Sequence, residues 1–287
     1  MRYNTGAPRR RGFTLIELII GMVIFAIVGA LFTRLLTTQG KFFDKQNMGN
    51  AARNVSRASL NRVVSDLRMI EATGGVLAAS SSSITARVPF ALGVVCGTSN
   101  NSTAISLLPV DSVIYNADGF YGFAWRNATT GVYTYVENPA AQTKNVGNNL
   151  CNSVGITTLT NGRAARLTPV VNGSSLGTPL FLYRRIRYEF KASTAVPGKF
   201  GLYRTTIFPD ASEQSEELVA PFANTARFRF FVVGNSTTAQ DNPPGILSDM
   251  RGIELHLDGL SENAVPGSAS VESAPFTTAV FFKNRAQ

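Results

Sequence analysis

The chain has 287 residues, of which 44 % are hydrophobic and 16 % are charged, which is enough apolar material for one large domain or two modest ones. Its single histidine excludes most histidine-based catalysis and histidine-rich metal sites, and its two cysteines form no CxxC motif. The net charge of +9 would suit an acidic partner such as nucleic acid or anionic lipid.

The distribution of the charge weakens that interpretation. Residues 1–12 carry four arginines and no acidic residue. Residues 34–71 carry seven lysines and arginines against three acidic residues, whereas the rest of the chain after residue 71 carries sixteen against fourteen. The C-terminal region is therefore nearly neutral. This disfavours nucleic acid as its partner, because such affinity depends on clustered basic side chains.

The first predicted element is a membrane-spanning helix over residues 13–33. Phe13–Phe32 contains one charged residue, Glu17, and twenty helical residues rise about 30 Å, the thickness of a bilayer's hydrocarbon core. A helix on a globular surface would be amphipathic, and a secretory signal peptide would have a shorter apolar run followed by a small-x-small site. The arginines in front favour a cytoplasmic N-terminus, so the rest of the chain is predicted to lie outside the cytoplasm.

Glu17 is the exceptional residue of this segment. A carboxylate inside a membrane costs a few kcal/mol even on mild insertion scales, and such a residue is read as functional by default. The span contains no cation that could pair with it. A freed N-terminal amine at Phe13, in this chain or in a neighbouring one, would be a suitable partner.

The N-terminal sequence resembles the leader junction of type IV prepilins and type II secretion pseudopilins. The resemblance is carried by Arg9-Arg10-Arg11-Gly12-Phe13-Thr14-Leu15-Ile16-Glu17-Leu18, a basic leader, Gly, Phe, Thr, Leu, a branched apolar residue and Glu before an apolar helix. It implies cleavage after Gly12 by the prepilin peptidase and N-methylation of Phe13. It also implies that Glu17 pairs with the amine of a neighbouring subunit and so sets axial register, because opposite charges attract strongly where the dielectric constant is low.

The helix is predicted to continue as a stem to residue 73, where Gly74-Gly75 would end it. Apolar residues at helical spacing define one face for packing on a head: Leu60, Val63, Val64, Leu67 and Ile70. Charged residues fall largely off that face: Arg57, Arg62, Asp66 and Arg68. We interpret the arginines as a solvated face or contacts to neighbouring stems in preference to a nucleic-acid track. Major pilins usually carry a proline partway along this stem, and its absence around Arg34 is a departure from the bulk filament subunit.

Residues 80–287 are predicted to form a β-rich head, following a polar linker at Ser80–Ser83. Alternating apolar and charged residues at 185–190, 227–232 and 253–258 indicate half-buried antiparallel strands. Further strands are predicted at 103–110, 113–126, 131–137, 199–207 and 276–283, and loops at 97–102, 145–155 and 172–177. The predicted fold class is therefore α+β: a long N-terminal helix, then an antiparallel sheet packed on its second half.

Cys96 and Cys151 are predicted to form a disulfide, because a distant pair in an exported protein is most simply bonded; two buried free thiols are the alternative. No catalytic, cofactor or metal site emerges from the residues. His256 falls on the polar side of a strand, and the serines of the head have no nearby histidine to act as a base. The aspartates are too scattered for a calcium loop, although some pseudopilins bind calcium.

The head also resembles the larger minor pilins of the W type and pseudopilin J of type II secretion. The matching segments are Asp66-Leu67-Arg68, Leu202-Tyr203-Arg204, residues 250–255 and residues 276–285. This resemblance implies a non-enzymatic minor subunit that initiates a filament, near its tip, together with other minor and major pilins or pseudopilins. It would reside in the inner membrane with its head in the periplasm before assembly. The alternatives are a tip adhesin or DNA-uptake pilin and, without any site to support it, an anchored periplasmic enzyme.

We predict that the mature chain begins at an N-methylated Phe13, because the Gly12–Phe13 junction follows three arginines. Intact-mass measurement of the membrane-bound protein tests this. A mature chain that retains Arg9–Arg11, or one that is cut after the apolar segment, would exclude the prepilin interpretation.

Overall fold

A computed structural model describes residues 14–71, 73–115, 120–138, 140–146, 151, 156, 162–264, 266, 268 and 270–282. Its first element is a single α-helix of 54 residues, and an antiparallel β-sheet follows. The predicted α+β class is confirmed. The predicted leader, with Arg9, Arg10, Arg11 and Gly12, lies outside the described residues, as does Phe13.

The helices are α1 (Leu15–Arg68) and α2 (Pro109–Tyr115), with a 3₁₀ turn at Leu247–Asp249. The strands are β1 (Val76–Ala79), β2 (Ser83–Ser99), β3 (Ser102–Leu107), β4 (Gly122–Arg126), β5 (Tyr133–Glu137), β6 (Gln142–Val146), β7 (Arg163–Thr168), β8 (Pro179–Ala192), β9 (Phe200–Ile207), β10 (Glu213–Phe222), β11 (Arg227–Val232), β12 (Asn235–Gln240), β13 (Met250–Ala264) and β14 (Val271–Phe281).

The described strands form one sheet in the order β12-β11-β13-β10-β9-β8-β2-β3-β7-β6. β14 pairs with β13, β1 pairs with β2, and β4 pairs with both β5 and β8. All of these pairings are antiparallel. The long strands β2 and β8 lie side by side in the middle and connect the two ends of the sheet.

Two hydrophobic cores lie along this sheet. The stem-side core combines side chains of α1 with side chains of β1, β2, β8, β9, β10, β11, β13 and β14. The distal core is built from β2, β3, β4, β7 and β8 with loop residues, and no side chain of α1 belongs to it. β2 contributes to both cores, and its pairing with β8 shifts by one residue between Pro89 and Ala91. A bulge changes which residues face the core, so Val88 enters the stem-side core and Ala91 enters the distal one.

The predicted apolar face of the stem is confirmed. Val63, Leu67 and Ile70 are completely buried in the stem-side core, and Leu60 and Val64 pack against it. Full burial of such side chains stabilises a fold by about 1.5–3 kcal/mol each. The docking of α1 is therefore mainly a hydrophobic interaction.

Three local predictions were wrong or misplaced. The helix ends at Arg68, and Gly74-Gly75 instead shapes the turn into β1. Residues 109–115 form α2, whereas the sequence predicted strands at 103–110 and 113–126. Pro109 suits the first helical position, and the Ser112 hydroxyl donates a hydrogen bond to the Leu108 carbonyl. The loop predicted at 97–102 is a tight turn between β2 and β3, whereas the one at 172–177 is confirmed.

Small residues allow α1 to approach β13 and β14 closely. Ser56 of the helix is buried, and its Oγ accepts a hydrogen bond from the Gly259 backbone N–H at 3.2 Å and donates one to the Ala274 carbonyl at 3.2 Å. Gly259 and Ala274 are Cα partners in the β13–β14 ladder. A Cβ at Gly259 would lie 2.4 Å from the carbonyl oxygen of Ala52. The serine hydroxyl thus ties the helix to both strands at the point of closest approach.

We expect Gly259→Ala to destabilise the head by about 1–3 kcal/mol, because the added methyl group must push the helix backbone away from the sheet. Gly245→Ala is the matched control, since a Cβ there meets nothing within 4 Å. Urea denaturation of the full chain in detergent measures both variants. Equal midpoints for the two variants would show that the helix does not pack against β13 at this distance.

Candidate functional site: the stem and its junction with the head

The helix α1 begins in a capping box made by Thr14 and Glu17. Thr14 is the N-cap, and its Oγ1 accepts a hydrogen bond from the Glu17 backbone N–H at 3.3 Å. Glu17 Oε2 in turn accepts hydrogen bonds from the Thr14 N–H and hydroxyl, each at 3.0 Å. The carboxylate that the sequence marks as functional is therefore bound locally at the helix start, and its pairing with the Phe13 amine stays a prediction.

The first half of α1 is a largely apolar helical segment that the head does not cover. Residues 14–43 are all exposed, and the large apolar side chains between Leu15 and Phe43 are about half to four-fifths exposed. Within the part of the chain that the structure describes, α1 contains the one stretch long and apolar enough to cross a membrane. The apolar helix is consistent with membrane anchoring.

A buried polar junction joins the second half of α1 to the head. Asp66 Oδ2 accepts a hydrogen bond from the Tyr188 hydroxyl on β8 at 2.6 Å and forms an ion pair with Arg204 Nε on β9 at 3.3 Å. The side chains of Asp66 and Arg204 are each 12 % exposed. The sequence placed Asp66 off the packing face, and that prediction was wrong. Two partners on the sheet replace the water that the carboxylate loses on burial.

Tyr188 acts in this junction as a hydrogen-bond donor. Burial raises the pKa of Tyr188 far above its usual value, and the neighbouring Asp66 carboxylate raises it further. The phenol therefore stays protonated and donates to Asp66 at physiological pH.

A second contact secures the segment between α1 and β1. Arg87 on β2 donates hydrogen bonds to the Gly74 carbonyl and, at 2.8 Å, to Glu137 on β5. Its guanidinium group lies over the Tyr135 ring, 4.4 Å from the centroid. Gly74 has a φ of +79°, and a Cβ there would lie 2.8 Å from the same ring. Glycine is needed here both for the backbone conformation and for the close approach of the tyrosine.

The segments that carry the second sequence resemblance, as far as the structure describes them, all contribute side chains to the stem-side core. Asp66 of the first segment contacts Arg204 of the second, and residues 252–255 pair with residues 278–281 in the β13–β14 ladder. Tyr203, on the other face of β9, donates a hydrogen bond to Glu217 at 2.8 Å. Burial raises the pKa of Glu217, but hydrogen bonds from Ser193, Thr194 and Tyr203 outweigh it and lower the pKa to about 2. The matching residues therefore belong to one structural unit, which the sequence alone did not reveal.

The distal part of the head contains the disulfide. Cys96 and Cys151 are bonded, and both are completely buried in a small cluster with Ala104 and Ala164. This bond attaches residue 151 to the end of β2.

The described part of the head presents few reactive groups. Within it, no group of three His, Cys, Asp or Glu residues is placed to hold a metal ion. His256 Nδ1 lies 3.2 Å from the Thr277 hydroxyl on the outer face of the sheet. Several of the arginines are paired with carboxylates of the head itself: Arg87 with Glu137, Arg187 with Glu213, and Arg229 with Asp241 and Glu254.

Comparison with known proteins bears on the N-terminus. Residues 7–33 match the family described as the prokaryotic N-terminal methylation motif. No curated protein matches the chain, and no solved structure matches it. The motif supports the prepilin resemblance, since it is a type IV pilin-like signal, and this motif family is structural and not enzymatic. It implies processing by the prepilin peptidase and pilin-type assembly partners in general.

We expect Arg204→Ala to destabilise the stem–head junction by about 3–5 kcal/mol, because it removes the closer and more buried of the two cations beside the Asp66 carboxylate. Arg62→Ala is the control. Arg62 approaches the same carboxylate at 3.9 Å, but its side chain is 57 % exposed, so its removal should cost less than about 1 kcal/mol. Chemical denaturation of the full chain in detergent distinguishes the two, and comparable losses would show that Asp66 is solvated.

Proposed function

We propose that this protein is a minor pilin or minor pseudopilin that helps to initiate assembly of a type IV filament near its tip. The observation that carries the proposal is the methylation motif at the start of an uncovered apolar half-helix whose second half is fixed to a head. In this proposal the apolar half first anchors the subunit in the inner membrane. After cleavage at Gly12 it packs among the stems of other subunits.

The continuity of α1 supports a role in assembly. The helix runs without interruption from Leu15 to Arg68 and contains no proline. Its last turns are fixed by apolar burial and by Asp66. A displacement of the membrane half would therefore be transmitted to the head as a rigid unit, which a subunit lifted from the membrane into a filament requires.

The choice of a minor subunit has separate support. The stem lacks the proline that major pilins usually carry, and the described parts of the segments resembling the W type and pseudopilin J all contribute to the stem-side core. The head also contains a second core, and none of its members among the described residues comes from the stem. Such a lobe suits a subunit present in few copies, because a bulk subunit must repeat its head at every position of the filament.

A tip adhesin or DNA-uptake pilin is the second candidate, and the charges of the head disfavour its DNA-binding form. The sequence after residue 71 is nearly neutral, and Arg87, Arg187 and Arg229 are paired with carboxylates of the head. Salt-dependent retention of the protein on DNA would reverse this preference.

Deletion of the gene, complemented with the wild-type chain or a variant, tests the proposal. Filaments per cell are counted by electron microscopy, together with co-purification of other motif-bearing subunits. Loss of filaments on deletion supports an assembly role. Normal filaments without the protein would exclude it as an initiator.

We expect Glu17→Ala to leave processing and membrane insertion nearly intact but to reduce filament number, because the carboxylate meets a neighbouring amine only during assembly. Removing a charge makes the span more apolar, so insertion should not suffer.

Glu17→Gln is the matched variant, because glutamine can still close a capping box with Thr14 but carries no charge. If both variants assemble poorly, the charge is required. If glutamine restores filament number, Glu17 acts as a helix cap and the proposed amine pairing is wrong.

A further inference from the structure

The outer edge of β14 is open. Among the described residues, β14 pairs with β13 and with no other strand. The Phe282 N–H bonds the Arg251 carbonyl across this ladder at 3.0 Å. Backbone groups of an antiparallel strand alternate in direction, and the register is continuous from Ser273 to Phe281. The N–H and C=O groups of Thr277, Ala279 and Phe281 therefore point away from β13.

One half of this edge is protected and the other is not. Pro275 lies on the same outward-facing register and has no N–H to offer, which is a common protection of an edge strand. No proline or charge lies between Phe276 and Phe282, where the sequence reads Phe-Thr-Thr-Ala-Val-Phe-Phe. β-Branched and aromatic residues of this kind favour strand pairing. An uncharged, unprotected edge of this composition would aggregate unless a partner covered it.

The edge is held in place by the rest of the sheet. Val280 is buried in the stem-side core, and Phe281 stacks on Phe231 of β11 with ring centroids 4.8 Å apart. Gly252 lies between them in the ladder, and a Cβ there would approach the Phe281 ring to 2.9 Å. Phe281 nevertheless stays 48 % exposed. β14 is thus held as an ordered edge strand, and the apolar side chain of Phe281 on it remains half exposed.

We propose that Thr277–Phe281 accepts an extended strand from a different filament subunit, which adds to the sheet next to β14. The inference rests on the proposed function for the identity of the partner. Main-chain hydrogen bonds would supply the affinity. The partner segment should be uncharged and rich in β-branched or aromatic residues, because a charged side chain would be desolvated beside Phe281 without an opposite charge.

A second copy of the chain cannot add its own β14 antiparallel to this edge while both stems enter the same membrane. Two identical strands that add antiparallel are related by a two-fold axis perpendicular to the sheet. The stem lies along the sheet face, with Lys45 3.9 Å from Glu272 at one end and Asp66 beside Arg204 at the other. The two-fold rotation would reverse its direction, so the two apolar halves could not enter the same membrane. This excludes the symmetric antiparallel pairing of two copies, and the occupant that we propose is a different subunit.

Amide hydrogen exchange on the full chain in detergent tests the proposal. The probes are the other motif-bearing subunits of the same cell, each co-expressed with this chain. In the chain alone, the amides of Thr277, Ala279 and Phe281 should exchange rapidly, while those of Thr278 and Val280 are protected by β13. In complex with the correct subunit, the first three should slow by about tenfold or more.

A pair of variants at one position separates backbone pairing from other contacts. Ala279→Pro removes one outward N–H, as Pro275 already does, and should abolish co-purification with the partner. Ala279→Val keeps the outward N–H, so this variant should still co-purify with the partner. If Ala279→Pro fails to fold, the exchange measurement on the wild-type chain decides alone.

The remaining outcomes overturn the proposal in distinguishable ways. If the amides of Thr277, Ala279 and Phe281 are protected from exchange in the isolated chain at every protein concentration, the chain's own C-terminal residues cover the edge. Protection that grows with concentration would mean self-association. Unchanged exchange in a complex, in cells whose filaments depend on this chain, would exclude strand addition but leave the proposed function intact. Filaments that form without the chain would exclude the proposed function itself.

Discussion

The whole arrangement depends on the burial of one face of the last turns of α1 against the sheet. Val63, Leu67 and Ile70 are completely removed from water there. At about 1.5–3 kcal/mol each, their burial outweighs the net contribution of the Asp66–Arg204 ion pair, since a buried pair gains little over an apolar replacement. The apolar contacts hold the helix on the head, and the ion pair and the Ser56 hydroxyl determine where along the sheet it rests.

This division of roles explains how one continuous helix can serve two environments. The residues from Thr14 to Thr33 are exposed and free to lie in a bilayer or a bundle of stems, whereas the face around Leu67 is committed to the head. Nothing in the helix marks the change except the pattern of its side chains, because the backbone is continuous. A subunit of this design can exchange lipid for other stems without rearranging its head.

The sheet separates structural from interacting surfaces in a similar way. β2 and β8 each contribute to both the stem-side core and the distal core, and β2 has a bulge near Pro89 between the two. Arg87, Arg187 and Arg229 are paired with carboxylates of the same sheet, and the sequence after residue 71 is nearly neutral, so the head offers little net charge to a partner. Recognition through the backbone of β14 would need no charge, which is compatible with such a surface.

The sequence by itself determined the α+β class, the apolar N-terminal segment, the methylation motif and the packing face of the stem. These are local properties: a run of apolar residues, a short junction around Gly12, and a helical repeat at Val63 and Leu67 are readable without knowing what lies nearby. Asp66 was misread because a charged side chain is expected to face solvent even beside Val63 and Leu67, and only the fold brings Tyr188 and Arg204 to it. Pro109 was likewise overlooked as a helix start within a stretch read as strand. Strand order, the β2 bulge, the Ser56 contact and the open edge of β14 were decided by the tertiary structure, since each depends on residues far apart in the chain that pair only after the sheet has formed.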